Sequence, residues 1–232
     1  VRGLADACKS WEIPVISGNV SFYNESFGSP IYPTPTVGLV GVIDDVSKRC
    51  TMALKDVGDV VILVGETEAE LGGSEWLKVI HNKVAGAPPA LDLDLEQAVA
   101  KTVIDGIAAG VIKSAHDCSE GGIGVALAEC CIAGDVGAQL ALDDDLVPCA
   151  SLFSETQSRI VVTLAEGDVE AFEDACLANE VPYSVIGTVG GDRLLIEDKV
   201  DLAVSALRGA WEPTLEKLVH GETIQSEELR EG

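Results

Sequence analysis

Residues 56–64, Asp56-Val57-Gly58-Asp59-Val60-Val61-Ile62-Leu63-Val64, carry the reading that decides the fold. Five consecutive apolar residues behind an Asp/Gly turn fit a buried strand. Residues 69–82 follow with helical spacing through Leu71, Leu77 and Ile80, and residues 85–89 form a Pro/Gly turn. Residues 95–112 place Val99, Val103, Ile104, Ile107 and Val111 on one stripe of a long helix. An extended segment at 113–118 then runs into Ser119-Glu120-Gly121-Gly122, after which Ile123, Leu127 and Cys130 or Cys131 resume the helical period. The last third repeats the order: a strand at 159–164, a helix at 168–179, strands at 183–189 and 193–196, then residues 200–207. Gly190-Gly191-Asp192 predicts a short hairpin between the middle two strands. The expected class is α+β.

Upstream, Leu4, Cys8 and Trp11 at i, i+4, i+7 predict the last turns of a helix, and short apolar runs at 13–16 and 37–43 predict strands. A helix end that feeds two strands reads as the tail of a domain whose beginning precedes Val1. Such a tail would leave Val15, Val37, Leu39 and Val42 as open apolar surface and strand edge, so self-association, a homodimer for example, is expected.

Between the two runs lies Ser17-Gly18-Asn19-Val20-Ser21-Phe22-Tyr23-Asn24-Glu25. Gly18 allows close backbone approach to an anion, while Asn19, Ser21, Asn24 and Glu25 offer oxygens and hydroxyl donors suited to a phosphate and its Mg²⁺. On spacing alone, these residues read first as a polar turn that closes a strand. The turn at 119–122 is open in the same way. Free N–H groups at a helix start make an anion site, whereas Ser119 as a cap with Gly121 and Gly122 for close packing is the structural alternative.

Composition narrows the function classes. The chain has 232 residues, 47% of them apolar, enough for one large core or two small ones. Its 39 acidic and 15 basic residues give a net charge of −24, a field that repels phosphodiester backbones and argues against nucleic-acid binding. No apolar run long enough to span a membrane and no secretory leader pattern is visible, so a cytoplasmic protein with no membrane association is expected. Seven Cys without a CxxC pair read as reduced thiols, and His81, His116 and His220 lack a Cys at zinc-ligand spacing. Asp143-Asp144-Asp145 reads as a solvated turn rather than a metal cluster.

The run Ser-Gly-Asn-Val-Ser at 17–21 resembles a loop in the synthetase subunit of phosphoribosylformylglycinamidine synthase, a purine-pathway enzyme. The resemblance continues through residues 33–41, Asp56-Val57-Gly58-Asp59, Leu71-Gly72-Gly73-Ser74-Glu75, residues 116–122 and residues 152–159, in the family's order and over nearly the whole chain. It implies the C-terminal third of that subunit. The implied domains are a truncated end of an N-terminal-type nucleotide domain at 1–55, a complete aminoimidazole ribonucleotide synthetase C-terminal-like α/β sandwich at 56–211, and an acidic segment at 212–232 that frays.

In that family ATP phosphorylates the amide oxygen of formylglycinamide ribonucleotide, and ammonia from a glutaminase displaces the phosphate. Residue by residue, the resemblance implies that Gly18 lies against ATP, Asn19 ligates Mg²⁺ and Ser21 contacts the substrate. It implies no catalytic residue here, because the family's general base lies in the N-terminal half. His116 falls in the second pseudo-symmetric half and receives no catalytic role. Glu155-Thr156-Gln157 is similar to a substrate-binding triplet of the other half, but Thr replaces Ser, and a pairing of Glu155 with Arg159 is the plainer expectation. The implied partners are the missing N-terminal half, the glutaminase and a small bridging subunit. The alternative function is a structural half that docks subunits or holds a non-catalytic nucleotide.

Overall fold

The structure is a computed structural model that describes residues 1–21, 23–142 and 145–221. It divides into two compact units, residues 1–49 and the remainder from Cys50.

In the first unit, helix α1 (Arg2–Ser10) forms as expected and ends on the Trp11 N–H, which donates to Ala7. The strands expected at 13–16 and 37–43 do not form. The described strands of this unit are a two-residue pair, β1 (Glu25–Ser26) and β2 (Ser29–Pro30). An apolar run becomes a strand only beside another strand's N–H and C=O groups, and here Ile16, Val40 and Val42 stand 88–91% exposed.

The second unit is built on a seven-stranded sheet. Its strands are β3 (Val60–Val64), β4 (Ile112–Asp117), β5 (Ala138–Leu140), β6 (Ile160–Leu164), β7 (Tyr183–Val189), β8 (Arg193–Ile196) and β9 (Val200–Ala203). Their spatial order is β4-β6-β3-β7-β5-β8-β9, antiparallel throughout except for the parallel β5–β8 pair. The helices are α2 (Glu75–His81), α3 (Leu93–Ala109), α4 (Gly122–Gly134), α5 (Pro148–Phe153), α6 (Val169–Ala178), α7 (Val204–Trp211) and α8 (Thr214–Val219). The α+β class holds.

The apolar run at 60–64 is buried throughout because both faces of its sheet are covered. Val61 and Leu63 pack with Ile123, Leu127 and Cys131 of α4, whereas Ile62 and Val64 pack with Val99 and Val103 of α3 and Phe172 of α6. Alternation along one strand thus feeds two cores. Asp59 opens β3: its buried carboxylate accepts from Lys113 Nζ at 2.6 Å and from the Asp56 N–H at 3.3 Å. The Asp-Val-Gly-Asp turn therefore anchors β3 to β4.

Two boundaries differ from expectation. Helix α2 begins only at Glu75, because Gly73 adopts φ +72° and Ser74 Oγ caps the helix by accepting from Leu77 N–H. Residues 69–74 are therefore loop. The hairpin expected at Gly190-Gly191-Asp192 is absent as well, since β5 lies between β7 and β8. Gly190 N–H donates to Gly137 O, and Gly137 N–H donates to Gly191 O, so the turn clamps the incoming strand instead of pairing its own flanks. A Cβ on Gly137 would sit 2.1 Å from Arg193 O, and only glycine permits that approach. Residues 200–207 likewise split into β9 and the start of α7.

All seven cysteines are free thiols. Among the described residues, no helix is long and apolar enough to cross a membrane. Asp143, Asp144 and residues 222–232 lie outside the described residues.

Candidate functional site

Three of the sequence blocks singled out above meet in the second unit. The segment after α5, Ser154-Glu155-Thr156, runs between the 66–74 loop and the turn that opens α4. Arg159, 2% exposed at the edge of β6, holds it in place. Its Nε donates to Thr156 O at 2.9 Å, one terminal nitrogen to Ser154 O at 2.6 Å, and the other to Thr67 Oγ1 at 2.8 Å. Burial holds this guanidinium below its ordinary pKa, and the fork of donors offsets the desolvation. Ser154 Oγ accepts from Glu70 N–H, Thr156 Oγ1 accepts from Glu68 N–H, and Glu155 N–H donates to Glu70 O.

Glu155 closes the junction. Its Oε1 accepts from Glu75 N–H at 2.8 Å and from Gly121 N–H at 2.9 Å. One carboxylate oxygen thereby serves the first residue of α2 and the residue that caps α4, where free N–H groups favour negative charge. The expected pairing of Glu155 with the Arg159 side chain does not occur, because the guanidinium is committed to carbonyls and Thr67. The 119–122 turn does present an anion-binding N–H, and the anion it holds is the protein's own Glu155. Gly121 and Gly122 have φ of +81° and +65°. A Cβ on Gly122 would meet Ser154 O at 2.4 Å, so the close-packing role of this glycine is real. Ser119 does not cap α4; its hydroxyl bonds Asp117 Oδ2.

His116 ends β4 between two carboxylates. Nε2 lies 3.0 Å from Glu129 Oε2 on α4, and Nδ1 lies 3.3 Å from Asp117 Oδ1. The Ser119 hydroxyl, and secondarily the imidazole, hold Asp117 below the usual carboxylate range. This geometry ties strand to helix. Among the described residues, no group of three His, Cys, Asp or Glu side chains is arranged to hold a metal ion.

Gly18, Asn19 and Ser21 lie on the exposed extended segment of the first unit. A Cβ on Gly18 would meet nothing within 4 Å, and Ser21 Oγ accepts from Tyr23 N–H at 3.4 Å. The Asn19 amide makes no hydrogen bond to another described residue. Gly18 therefore presents an open backbone and Asn19 an amide without a partner among the described residues, while the Ser21 hydroxyl already accepts from Tyr23 N–H. Sequence reading did not find the two-donor role of Glu155. The usable signal was a Glu following Ser154 with two glycine turns, 72–73 and 121–122, elsewhere in the chain.

With that geometry in place, comparison decides the family. The model of the AIR synthase related protein, C-terminal domain, matches residues 56–198. The chain belongs to the AIR synthase related family. That match covers the seven-stranded unit from the Asp56 turn through β8. The phosphoribosylformylglycinamidine synthase subunit PurL of Thermobifida fusca is 48% identical over 221 residues, which is 94% of this chain and 29% of that protein. The PurL of Moorella thermoacetica is 49% identical over 196 residues, 84% of this chain and 27% of that protein. The chain thus spans under a third of the length of these curated relatives. Among solved structures, Thermotoga maritima PurL complexed with FGAR aligns with TM-score 0.62 and 17% identity, covering 70% of this chain and 30% of that one. A second structure from the same organism, phosphoribosylformylglycinamidine synthase II, gives 0.58 and 18%. These structures establish a shared fold for this AIR synthase related chain.

Proposed function

We propose that this chain forms part of the ATP-dependent synthetase subunit of phosphoribosylformylglycinamidine synthase, in de novo purine biosynthesis in the cytoplasm. The reaction takes formylglycinamide ribonucleotide, ATP and glutamine-derived ammonia to formylglycinamidine ribonucleotide, ADP and phosphate. The observation that carries the reading is the 48% identity across 94% of the chain to a PurL subunit. Solved PurL structures of T. maritima complexed with ATP and with FGAR, and a PurLQS assembly, support the nucleotide, the substrate and the partner subunits.

Within that reaction the chain supplies one wall of the active site. Gly18, with open space where a side chain would stand, lets the backbone lie against ATP. Asn19 offers a hard amide oxygen with no hydrogen bond to another described residue, and it could take one position in a Mg²⁺ shell otherwise supplied from elsewhere. A Mg²⁺ held there would supply charge neutralisation for the triphosphate. The Ser21 hydroxyl orients the substrate. The general base comes from the rest of the subunit, so this chain alone is inactive. A glutaminase and a small bridging subunit complete the assembly.

A second reading, a structural half that docks subunits, gains support from Glu155. Because this carboxylate already fills the amide donors at Gly121 and Glu75, that face of the second unit serves as a joint rather than a phosphate cradle. A chimera separates the two. Replacing the corresponding 221 residues of T. fusca PurL with this chain is expected to retain ammonia-dependent ADP release. A well-folded chimera that binds its partner subunits yet releases no ADP would leave only the structural reading.

A further inference from the structure

Strand β9 ends the seven-stranded sheet and pairs with β8 alone. Val204 N–H donates to Asp192 O, and the hydrogen-bonded positions of the ladder alternate from there: Leu202 and Val200 turn their backbone groups toward β8, while Asp201 turns its N–H and C=O outward. Ala203 adds an outward N–H; its C=O serves the first turn of α7. The Arg193 side chain donates to Asp201 O at 3.2 Å and pairs with the Asp201 carboxylate. An open edge of this kind is a template for a further strand.

Beside the edge lies an apolar cavity of about 330 Å³ that opens to solvent. Val200 and Leu202, opposite Ile196 and Leu194 in the ladder, line it from the sheet; Ala128 and Ile132 of α4 and Leu207 and Trp211 of α7 form other walls. Leu202 and Trp211 are 41% and 52% exposed, so edge and cavity share one uncovered face. In a strand laid along β9, alternate side chains share the face of Val200 and Leu202 and enter the cavity, and the others share the face of Asp201. That second face is acidic. The Asp201 side chain is 64% exposed, and Glu197 and Asp198 in the adjoining turn are exposed too. With the net charge of −24, these carboxylates are complementary to a cationic segment.

We propose that this edge binds an extended segment of a partner protein, in which apolar residues alternate with Lys or Arg, as an antiparallel eighth strand. Its apolar side chains fill the cavity beside Leu207 and Trp211, its cations lie over Asp201, and its backbone pairs with Asp201 and the Ala203 N–H. Arg193 competes for the same carbonyl and carboxylate, so it guards the edge. The site lies wholly within the second unit and does not rest on the ligase reading.

The test is titration of the full chain with an end-blocked heptapeptide of alternating lysine and valine, read by calorimetry and by the Asp201 amide resonance. Saturable binding at physiological salt is expected, with the Asp201 amide proton protected from exchange. N-methylation of the lysine amides removes the donors that an antiparallel strand aims at β9 and keeps every charge; it is expected to weaken binding at least about tenfold. N-methylation of the valine amides, which point away from β9, is expected to change affinity less than about threefold. Leu202→Lys, which sets a cation at the cavity, is expected to weaken binding at least about tenfold, and Arg193→Ala, which uncovers Asp201, to tighten it. Absence of saturable binding to both the parent chain and Arg193→Ala, equal affinity of the three peptides, or unchanged affinity in Leu202→Lys would overturn the proposal. So would a dimer of the chain that Leu202→Lys abolishes, which would assign the edge to a second copy.

Discussion

Removing Glu155 tests the three-loop junction directly. Glu155→Ala strands the Glu75 and Gly121 N–H groups, each bonded at 2.8–2.9 Å to one oxygen. A stranded donor costs about 1–3 kcal/mol, and water partly reaches this part-buried site, so the pair costs about 2–4 kcal/mol. Glu155→Gln keeps an oxygen for both donors and loses only the charge facing the helix starts, about 1 kcal/mol. The assay is urea unfolding followed by fluorescence of Trp76, which stacks on Phe153 with centroids 4.5 Å apart and reports the junction. With a urea dependence of about 2 kcal/mol per M, Ala lowers the midpoint by about 1–2 M and Gln by about 0.5 M. An Ala variant as stable as the parent, or a Gln variant as damaged as Ala, would refute the two-donor account.

Three further outcomes are expected. Gly137→Ala forces a Cβ into the Arg193 backbone, where even the nitrogen lies at 2.5 Å; it should destabilise the β5–β8 pair by about 2 kcal/mol or more, measured by urea midpoint. Burial pushes the Cys118 thiol up to about 11 and the Cys131 thiol up to about 12, from an ordinary 9.0. With folded values raised, the stability they contribute is complete below pH 9 and is lost as pH rises toward 11–12, by about 1.4 kcal/mol per thiol per pH unit; a flat unfolding free energy from pH 9 to 11 would contradict this. The exposed apolar residues at 15, 37, 39 and 42 should drive concentration-dependent association of the chain in sedimentation, and a clean monomer at high concentration would count against it.

The second unit was legible where periodicity is strong. The run at 60–64, the α3 stripe through Val99 and Val103, and the α4 residues Ile123 and Leu127 all went where pattern placed them. Pattern failed where pairing is non-local. Gly190 and Gly191 carry the chemistry of a hairpin, and only the insertion of β5 from fifty residues upstream makes them a clamp on Gly137. The runs at 13–16 and 37–43 have strand composition but no ladder, because composition does not supply a neighbouring strand. At the junction, the glycine turns and the acidic residue were each visible. That Glu155 would reach both amides, and leave Arg159 to the carbonyls, depends on distances that no spacing rule encodes.

The central claim is that the segment holding Gly18, Asn19 and Ser21 serves a Mg·ATP-dependent ligase site. Its most direct test is the Mg²⁺ dependence of ADP release by the T. fusca chimera, with and without Asn19→Ala. Loss of one metal ligand is expected to raise the Mg²⁺ needed for half-maximal rate by about 10–100-fold, with the chimera's urea midpoint unchanged. Superimposable Mg²⁺ curves for the two proteins would contradict the claim.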